Sequence, residues 1–172
     1  MHNLLLFIVL LLTPHGVSNA LVIIPTYNER ENIRAIVDAV LALPKDFHVL
    51  IVDDNSPDGT ADIVEQQQAT YNTEEKKLHL LRRPGKQGLG TAYITGFKWA
   101  LDNGYDFMLE MDADFSHDPK DLVRLYLSCS EKNYDVAIGS RYATGVNVVN
   151  WPMGRVLLSY FASSYVRLIT NM

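Results

Sequence analysis

The stretch LVIIPTYNERENIRAIVDAV, from Leu21 to Val40, contains the two patterns that decide the fold. It opens with four consecutive apolar residues, three of them β-branched, which is typical of a buried strand. Further along, apolar residues recur at a spacing that places them on one face of a helix: Ile33, Ile36, Val37 and Val40. A strand followed directly by an amphipathic helix predicts a βα unit.

The same alternation continues along the chain. Short apolar and β-branched runs recur, and the stretches between them are long enough for one helix each. The predicted strands are Leu21–Ile24, Phe47–Val52, Leu78–Leu81, Phe107–Met111 and Val136–Ile138. We therefore predict an α/β fold with a mostly parallel central sheet flanked by helices, as one domain over residues 20–172.

Composition excludes several classes of protein. The 172 residues are 48% hydrophobic and 20% charged, as in an ordinary folded domain. A net charge of −5 argues against a nucleic-acid partner, which would require clustered basic residues. The single cysteine, Cys129, excludes an internal disulfide and a cysteine-rich zinc site.

The first 19 residues differ from the rest of the chain. They contain the uninterrupted apolar run LLLFIVLLL, Leu4–Leu12, which is about half of the roughly 20 residues that cross a bilayer as a helix. Three interpretations stay open: a membrane-associating segment, a secretory signal, or a start codon upstream of the true domain.

Ligands of open α/β sheets bind at the carboxyl ends of the strands, so the residues directly after each predicted strand are the candidate site. In chain order these stretches are PTYNERENI, DDNSPDGTADI, RRPGKQGLGTAYITGF, DADFSHDP and GSRYATG. All five are rich in polar residues. The sequence therefore predicts that polar groups converge on one edge of the sheet.

Asp112 and Asp114 follow the fourth predicted strand at positions i and i+2. In an extended segment the two side chains point the same way, so both carboxylates can reach one small ion. Such oxygen ligands suit Mg²⁺ or Mn²⁺, which keep waters and complete their shell with substrate phosphates. The alternative is a pair of solvated or capping loop carboxylates. Asp118, followed by Pro119, is predicted to cap the next helix.

Asp53 and Asp54 end the second predicted strand, where an acid can accept hydrogen bonds from ribose hydroxyls or base N–H groups. No G-x-G-x-x-G follows the first strand and no G-x-x-x-x-G-K-[ST] occurs, which disfavours a nicotinamide dehydrogenase and a P-loop NTPase. Three glycines, Gly85, Gly88 and Gly90, predict either a close-approach loop that opens a helix at Thr91 or simple helix-start glycines.

Five motifs together carry a family resemblance: VIIPTYNERENI, IVDDNSPDGTADI, GLGTAYITGF, MDADFSHDP and GSRYATG. In this order, between Ala20 and Arg155, they resemble family 2 glycosyltransferases with the nucleotide-sugar-binding, Rossmann-like GT-A fold, and especially the dolichol- or polyprenol-phosphate mannose synthases. The resemblance implies an inverting transfer of mannose from GDP-mannose to a dolichyl or polyprenyl monophosphate. A sister enzyme using UDP-glucose or another nucleotide sugar, and a truncated non-catalytic nucleotide-binding module, remain alternatives.

The resemblance also implies roles for individual residues. Contacts with the nucleotide sugar fall on Pro25, Tyr27, Glu29, Val52, Asp54, Asp112, Ala113 and Asp114. The metal, Mg²⁺ or Mn²⁺, falls on Asp112 and Asp114, and phosphate binding falls on Arg141. These last three are the predicted catalytic residues.

The segment GRVLLSYFASSYVRLI, Gly154–Ile169, adds an acceptor site. At helical spacing, Arg155 and Ser159 share a face that could hold a phosphate, while the apolar surround suits a lipid chain or the membrane surface. A core helix with a polar outer stripe is the alternative. The resemblance favours Arg141, Arg155 and Ser159 as the acceptor-phosphate site.

Members of this family usually continue well beyond 172 residues, so we expect residues 20–172 to be a C-terminally truncated GT-A domain. Their sugar donor is found in the cytosol, which conflicts with a secretory signal. We therefore expect a cytoplasmic protein that is peripheral on the cytosolic face of a membrane.

Overall fold

A computed structural model describes residues 10–11, 19–132, 134–139 and 161. The chain divides into two compact units, residues 1–139 and residues 140–172. Only Phe161 of the second unit is described, so the fold set out below is that of the first.

Strands and helices alternate in the first unit after a short initial strand. The strands are β1 (Leu10–Leu11), β2 (Ala20–Thr26), β3 (Phe47–Asp53), β4 (Leu78–Arg82) and β5 (Phe107–Glu110). The helices are α1 (Ile33–Leu41), α2 (Thr60–Tyr71), α3 (Leu89–Asp102) and α4 (Asp121–Ser130). In the sheet the strand order is β1-β5-β2-β3-β4, with β1 antiparallel to β5 and the other pairs parallel. The predicted mostly parallel sheet is confirmed.

The predicted strand at Val136–Ile138 is wrong, because these residues have no regular secondary structure in the described part of the chain. One edge of β5 pairs with β2. On its other edge Phe107 and Met108 pair with Leu10 and Leu11. The first two residues of β5 are therefore paired on both edges.

Alternate residues of β2 and β3 face two separate hydrophobic clusters. Val22 and Ile24 pack with residues of α1 and α4, whereas Leu21 and Ile23 pack with residues of α3. The predicted face of α1 is confirmed, because Ile33, Ile36, Val37 and Val40 are all completely buried. Helices therefore cover both sides of the central strands, which explains the continuous apolar runs Leu21–Ile24 and Val49–Val52.

Close packing of α3 on the sheet depends on Gly96. A Cβ built there would lie 2.6 Å from Cγ2 of Ile23, on β2. Gly85, Gly88 and Gly90, predicted to form either a close-approach loop or a simple helix start, have no protein atom within 4 Å of a built Cβ. Gly88 instead adopts a φ of 100° directly before α3, which begins at Leu89 rather than at Thr91. The glycine that permits close packing is therefore Gly96, which lies inside α3.

Replacing Gly96 with alanine is expected to destabilise the fold. Overpacking against the stiff, β-branched Ile23 costs about 1–3 kcal/mol, and the better helix propensity of alanine returns about 1 kcal/mol. We expect the free energy of unfolding, measured with urea, to fall by up to about 2 kcal/mol. Gly90→Ala in the same helix is the control and should be neutral or slightly stabilising; an equal loss in both variants would contradict the packing argument.

A chain of hydrogen-bonding rings lies at the opposite end of the sheet, where β3 and β4 begin. Tyr105 Oη lies 2.8 Å from Nδ1 of His48 and 3.1 Å from Nε2 of His79. Glu75 Oε1 lies 3.4 Å from Nε2 of His48. Burial lowers the pKa of His48, and burial together with the charge of Lys76 lowers the pKa of His79 to about 4. Both rings are therefore held in the neutral form at neutral pH.

Stability is expected to fall as the pH is lowered from 6.5 towards 4. The unfolded chain binds more protons than the folded one in this interval, because the pKa of His79 is lower in the folded protein. We expect a loss of about 2 kcal/mol, less than the full shift implies because His79 is only half-buried. Urea unfolding of the wild type and of His79→Gln across this range isolates the effect; equal pH dependence of the two proteins would contradict it.

Candidate active site

The carboxyl ends of β2, β3, β4 and β5 meet at one edge of the sheet because these strands are parallel neighbours. In the register of the sheet, Asp53 lies between Thr26 and Arg82. The loops that leave these strands carry most of the residues predicted to form the site.

Asp53 is a structural residue of its loop. It is completely buried, and its Oδ1 accepts hydrogen bonds from Thr26 Oγ1 at 2.9 Å and Ser56 Oγ at 2.6 Å. Its Oδ2 accepts from the Ser56 main-chain N–H at 2.9 Å. Both oxygens are therefore used in joining the ends of β2 and β3 and in shaping the turn that follows.

Asp54 forms a buried ion pair with Arg83, a residue that the sequence analysis did not single out. Asp54 Oδ1 lies 3.0 Å from Arg83 Nε, and both residues are 6% exposed. The contact lacks hydrogen-bond geometry, and Nη1 of Arg83 has no hydrogen-bond partner among the described residues. Nη2 of Arg83 donates to Thr91 Oγ1 at 2.9 Å, in the first turn of α3. Arg83 thus links the loop after β3 to the start of α3.

Tyr27 and Glu29 lie in the loop after β2. Tyr27 is 38% exposed, and Lys86 Nζ lies 4.5 Å from the centre of its ring, in a cation–π contact. Glu29 Oε2 accepts a hydrogen bond from Asn32 Nδ2 at 3.1 Å. The main-chain N–H of Glu29 donates to Thr60 Oγ1 at 3.0 Å. Lys86 is a second basic residue of this edge that the sequence analysis missed.

Pro25 and Val52 are neighbours in the register of β2 and β3. Pro25 is half-buried, but Val52 is completely buried and belongs to the cluster under α3. Only main-chain atoms of Val52 could therefore reach a ligand at this edge.

The segment after β5 is a turn rather than the extended segment that we expected. β5 ends at Glu110, and residues 113–114 lie in a turn. Asp114 Oδ1 accepts a hydrogen bond from the Ser116 main-chain N–H at 2.9 Å, and Phe115 has a φ of 55°. Ala113 is buried, whereas Asp112 is half-buried and Asp114 is exposed. Both aspartates thus keep accessible surface on either side of a buried alanine.

Asp118 lies apart from this pair. Its Oδ1 accepts a hydrogen bond from the Lys120 main-chain N–H at 3.0 Å, and α4 begins at Asp121. The predicted cap of α4 is therefore wrong: the residue before the helix is Lys120, which makes no side-chain capping hydrogen bond, and Asp118 instead closes the turn ahead of the helix.

Two further side chains lie beside Asp112, the half-buried Tyr93 and the buried Glu110. Tyr93, on α3, donates a hydrogen bond from Oη to Asp112 Oδ1 at 3.2 Å. Glu110 is 6% exposed, and burial together with the charge of Asp112 raises its pKa to about 7. Neither residue was identified from the sequence, because Glu110 lies inside a strand and Tyr93 reaches the site from a helix.

Backbone strain is concentrated at this edge. In the described part of the chain the non-glycine residues with positive φ are Asn28, Asn55 and Phe115, which follow β2, β3 and β5. A left-handed conformation costs about 1–2 kcal/mol for an L-residue, and such residues concentrate at ligand-binding loops. The three residues with positive φ therefore lie at the same edge of the sheet as the candidate ligand-binding site.

The carboxylates of Asp112 and Asp114 are hard oxygen donors, which fit Mg²⁺ or Mn²⁺. Within the residues that the structure describes, no three histidine, cysteine, aspartate or glutamate side chains are grouped closely enough to bind a metal alone. An ion held by these two aspartates would need further oxygens, which is the usual situation for Mg²⁺ completed by phosphates and water.

The remaining predicted residues, Arg141, Arg155 and Ser159, lie outside the described residues. Leu10 and Leu11 are the described part of the N-terminal apolar run, and they form β1. Across the described ranges, no helix combines the length and the hydrophobicity needed to span a membrane.

Two proteins are similar in sequence to most of this chain. Polyprenol monophosphomannose synthase of Mycolicibacterium smegmatis is 45% identical over 157 residues, which are 91% of this chain and 58% of that protein. Undecaprenyl-phosphate mannosyltransferase of Micrococcus luteus is 43% identical over 152 residues, 88% of this chain and 60% of that protein. This chain thus spans about three-fifths of the length of these relatives.

The fold and the family follow from two further comparisons. The crystal structure of S. aureus TarS superimposes with a TM-score of 0.52 and 27% identity, over 67% of this chain and 20% of that one. Together with the parallel sheet and its flanking helices, this likeness confirms the predicted GT-A fold. The family described as glycosyl transferase family 2 matches residues 21–170. Since that match covers most of the chain, the protein belongs to glycosyl transferase family 2.

Proposed function

We propose that this chain carries the donor site of an inverting glycosyltransferase that transfers mannose from GDP-mannose to a dolichyl or polyprenyl monophosphate. The observation that carries the proposal is that the Asp54–Arg83 pair, Asp112 and Asp114 all follow the carboxyl ends of parallel strands in one sheet. Two relatives named for polyprenol monophosphomannose and for undecaprenyl-phosphate mannosyl transfer support the choice of sugar and acceptor.

In this proposal Asp112 and Asp114 hold Mg²⁺ or Mn²⁺. When bound, such an ion supplies Lewis-acid stabilisation of the charge that develops on the leaving GDP. Tyr27, Glu29 and Asp54 contact the nucleotide with side chains. Pro25, Val52 and Ala113 line the same donor site, Val52 through its main chain because its side chain is buried.

The attacking group would be an oxygen of the lipid phosphate, which is already ionised at neutral pH. A strong general base is therefore not needed, and the main requirement is positive charge that holds an anionic acceptor beside an anionic donor. We propose Arg141, Arg155 and Ser159 for that role, on the sequence pattern alone. The lipid acceptor places the protein against a membrane surface, and the cytosolic donor favours the cytosolic face.

A donor panel tests the proposed function. Radiolabelled GDP-mannose and UDP-glucose would each be incubated with a polyprenyl phosphate and Mn²⁺. The enzyme would be this chain or a version extended at the C terminus to the length of its relatives. We expect lipid-linked mannose from GDP-mannose. No lipid-linked sugar from the extended version would overturn the proposal, and a preference for UDP-glucose would favour the sister activity. GDP binding without turnover in both versions would favour a non-catalytic module.

A further inference from the structure

We propose that Tyr93 is a positioning residue that holds the Asp112 carboxylate in the orientation needed to bind the metal of the sugar donor. This inference rests on the function proposed above and assigns a role to a residue of α3, outside the loops at the strand ends. Tyr93 Oη donates to Asp112 Oδ1 at 3.2 Å. From the described residues, this is the one hydrogen bond that the Asp112 side chain receives.

The Tyr93 ring is held by the protein framework. It stacks on Phe97, one turn further along α3, with ring centres 6.3 Å apart and an interplanar angle of 26°. Gly96 lies three residues after Tyr93, on the same side of α3, and lets this side pack directly on Ile23. The hydroxyl therefore projects from a close-packed helix and not from a mobile loop.

The hydroxyl can act only as a donor to Asp112. A carboxylate offers only acceptor oxygens, so the phenol hydroxyl supplies the proton of this hydrogen bond. A carboxylate oxygen that accepts this hydrogen bond fixes the plane of the group and leaves the second oxygen for a ligand. Hydrogen bonds of this kind to metal-binding groups orient them, and their loss typically lowers metal affinity by about 10–100-fold.

Tyr93→Phe tests the inference, because it removes the hydroxyl and keeps the ring stacked on Phe97. In the full chain we expect Mn²⁺-dependent binding of GDP, measured by calorimetry, to weaken by about 10–100-fold. Direct Mn²⁺ affinity, measured by electron paramagnetic resonance, should fall in parallel. The melting temperature should change by only a few degrees, because one hydrogen bond contributes about 1 kcal/mol.

Two further variants separate the possible outcomes. Phe97→Leu disturbs the same ring pair but keeps the Tyr93 hydroxyl, so it should lower the melting temperature and weaken Mn²⁺-dependent binding much less than Tyr93→Phe does. Equal weakening in Phe97→Leu and Tyr93→Phe would show a merely structural role and overturn the inference. If Asp112→Asn weakens binding and Tyr93→Phe does not, the inference fails and the proposed metal site stands. If Asp112→Asn binds like the wild type, the proposed metal site itself fails, and the inference with it.

Discussion

Replacing Asp114 with asparagine is expected to weaken Mn²⁺-dependent binding of GDP by at least about 100-fold. Changes outside the direct ligands of a metal typically cost about 10–100-fold, so the loss of a direct carboxylate ligand should exceed that range. Asparagine keeps an oxygen that can accept the hydrogen bond from the Ser116 main-chain N–H, so the turn through Phe115 should survive. Calorimetry with GDP, in Mn²⁺ and then in chelator, measures the metal-dependent part directly.

Asp118 provides the matched control for this change. It is an exposed acid only four residues further along, and its carboxylate accepts a hydrogen bond from Lys120. Asp118→Ala should cost about 1 kcal/mol of stability through the lost hydrogen bond from Lys120 and leave metal-dependent binding unchanged. Wild-type affinity in Asp114→Asn would remove Asp114 from the metal site. Equal losses in the two variants would indicate a diffuse acidic field instead of two specific ligands.

The parts of the fold that the sequence predicted are those set by local patterns. The buried face of α1 follows from helical spacing, and each of the four parallel strands follows from an apolar run. Val136–Ile138 has the same kind of run but forms no strand, because an apolar run alone does not supply a sheet edge to pair with. Edge availability is decided by distant parts of the chain, so no local pattern reports it.

The candidate site divides in a similar way. Asp54, Asp112 and Asp114 were identified because they directly follow strands, and a parallel sheet brings strand ends together. Arg83 was missed because Arg82 and Arg83 are alike in sequence, although only Arg83 turns inward. Tyr93 was missed because its contact with Asp112 joins two elements across the structure. The spacing of residues along the sequence does not reveal a side chain that reaches the site from a different helix or strand.

Replacing Arg83 with methionine is expected to lower the free energy of unfolding by about 3–5 kcal/mol, because the buried Asp54 carboxylate then loses its partner. Arg82→Met is the matched control. Arg82 forms ion pairs with Asp62 and Glu65, but all three side chains are largely exposed. Exposed pairs typically contribute about 0–1 kcal/mol, so we expect little change in the control. Urea unfolding of both variants measures the difference, and equal losses would show that the Asp54–Arg83 pair has no special weight.

A double variant, Asp54→Leu with Arg83→Met, separates stability from binding. Removing both charges of a buried pair is often neutral or even stabilising, since neither partner is left uncompensated. We therefore expect the double variant to recover most of the stability lost in Arg83→Met, yet to bind GDP more weakly than the wild type. Recovered stability with unchanged GDP affinity would contradict a nucleotide-binding role for Asp54. If the double variant regains stability but binds GDP more weakly, the ion pair contributes more to ligand binding than to folding. In that case apolar side chains fill the same space without loss of stability, and only the binding of GDP requires the charges.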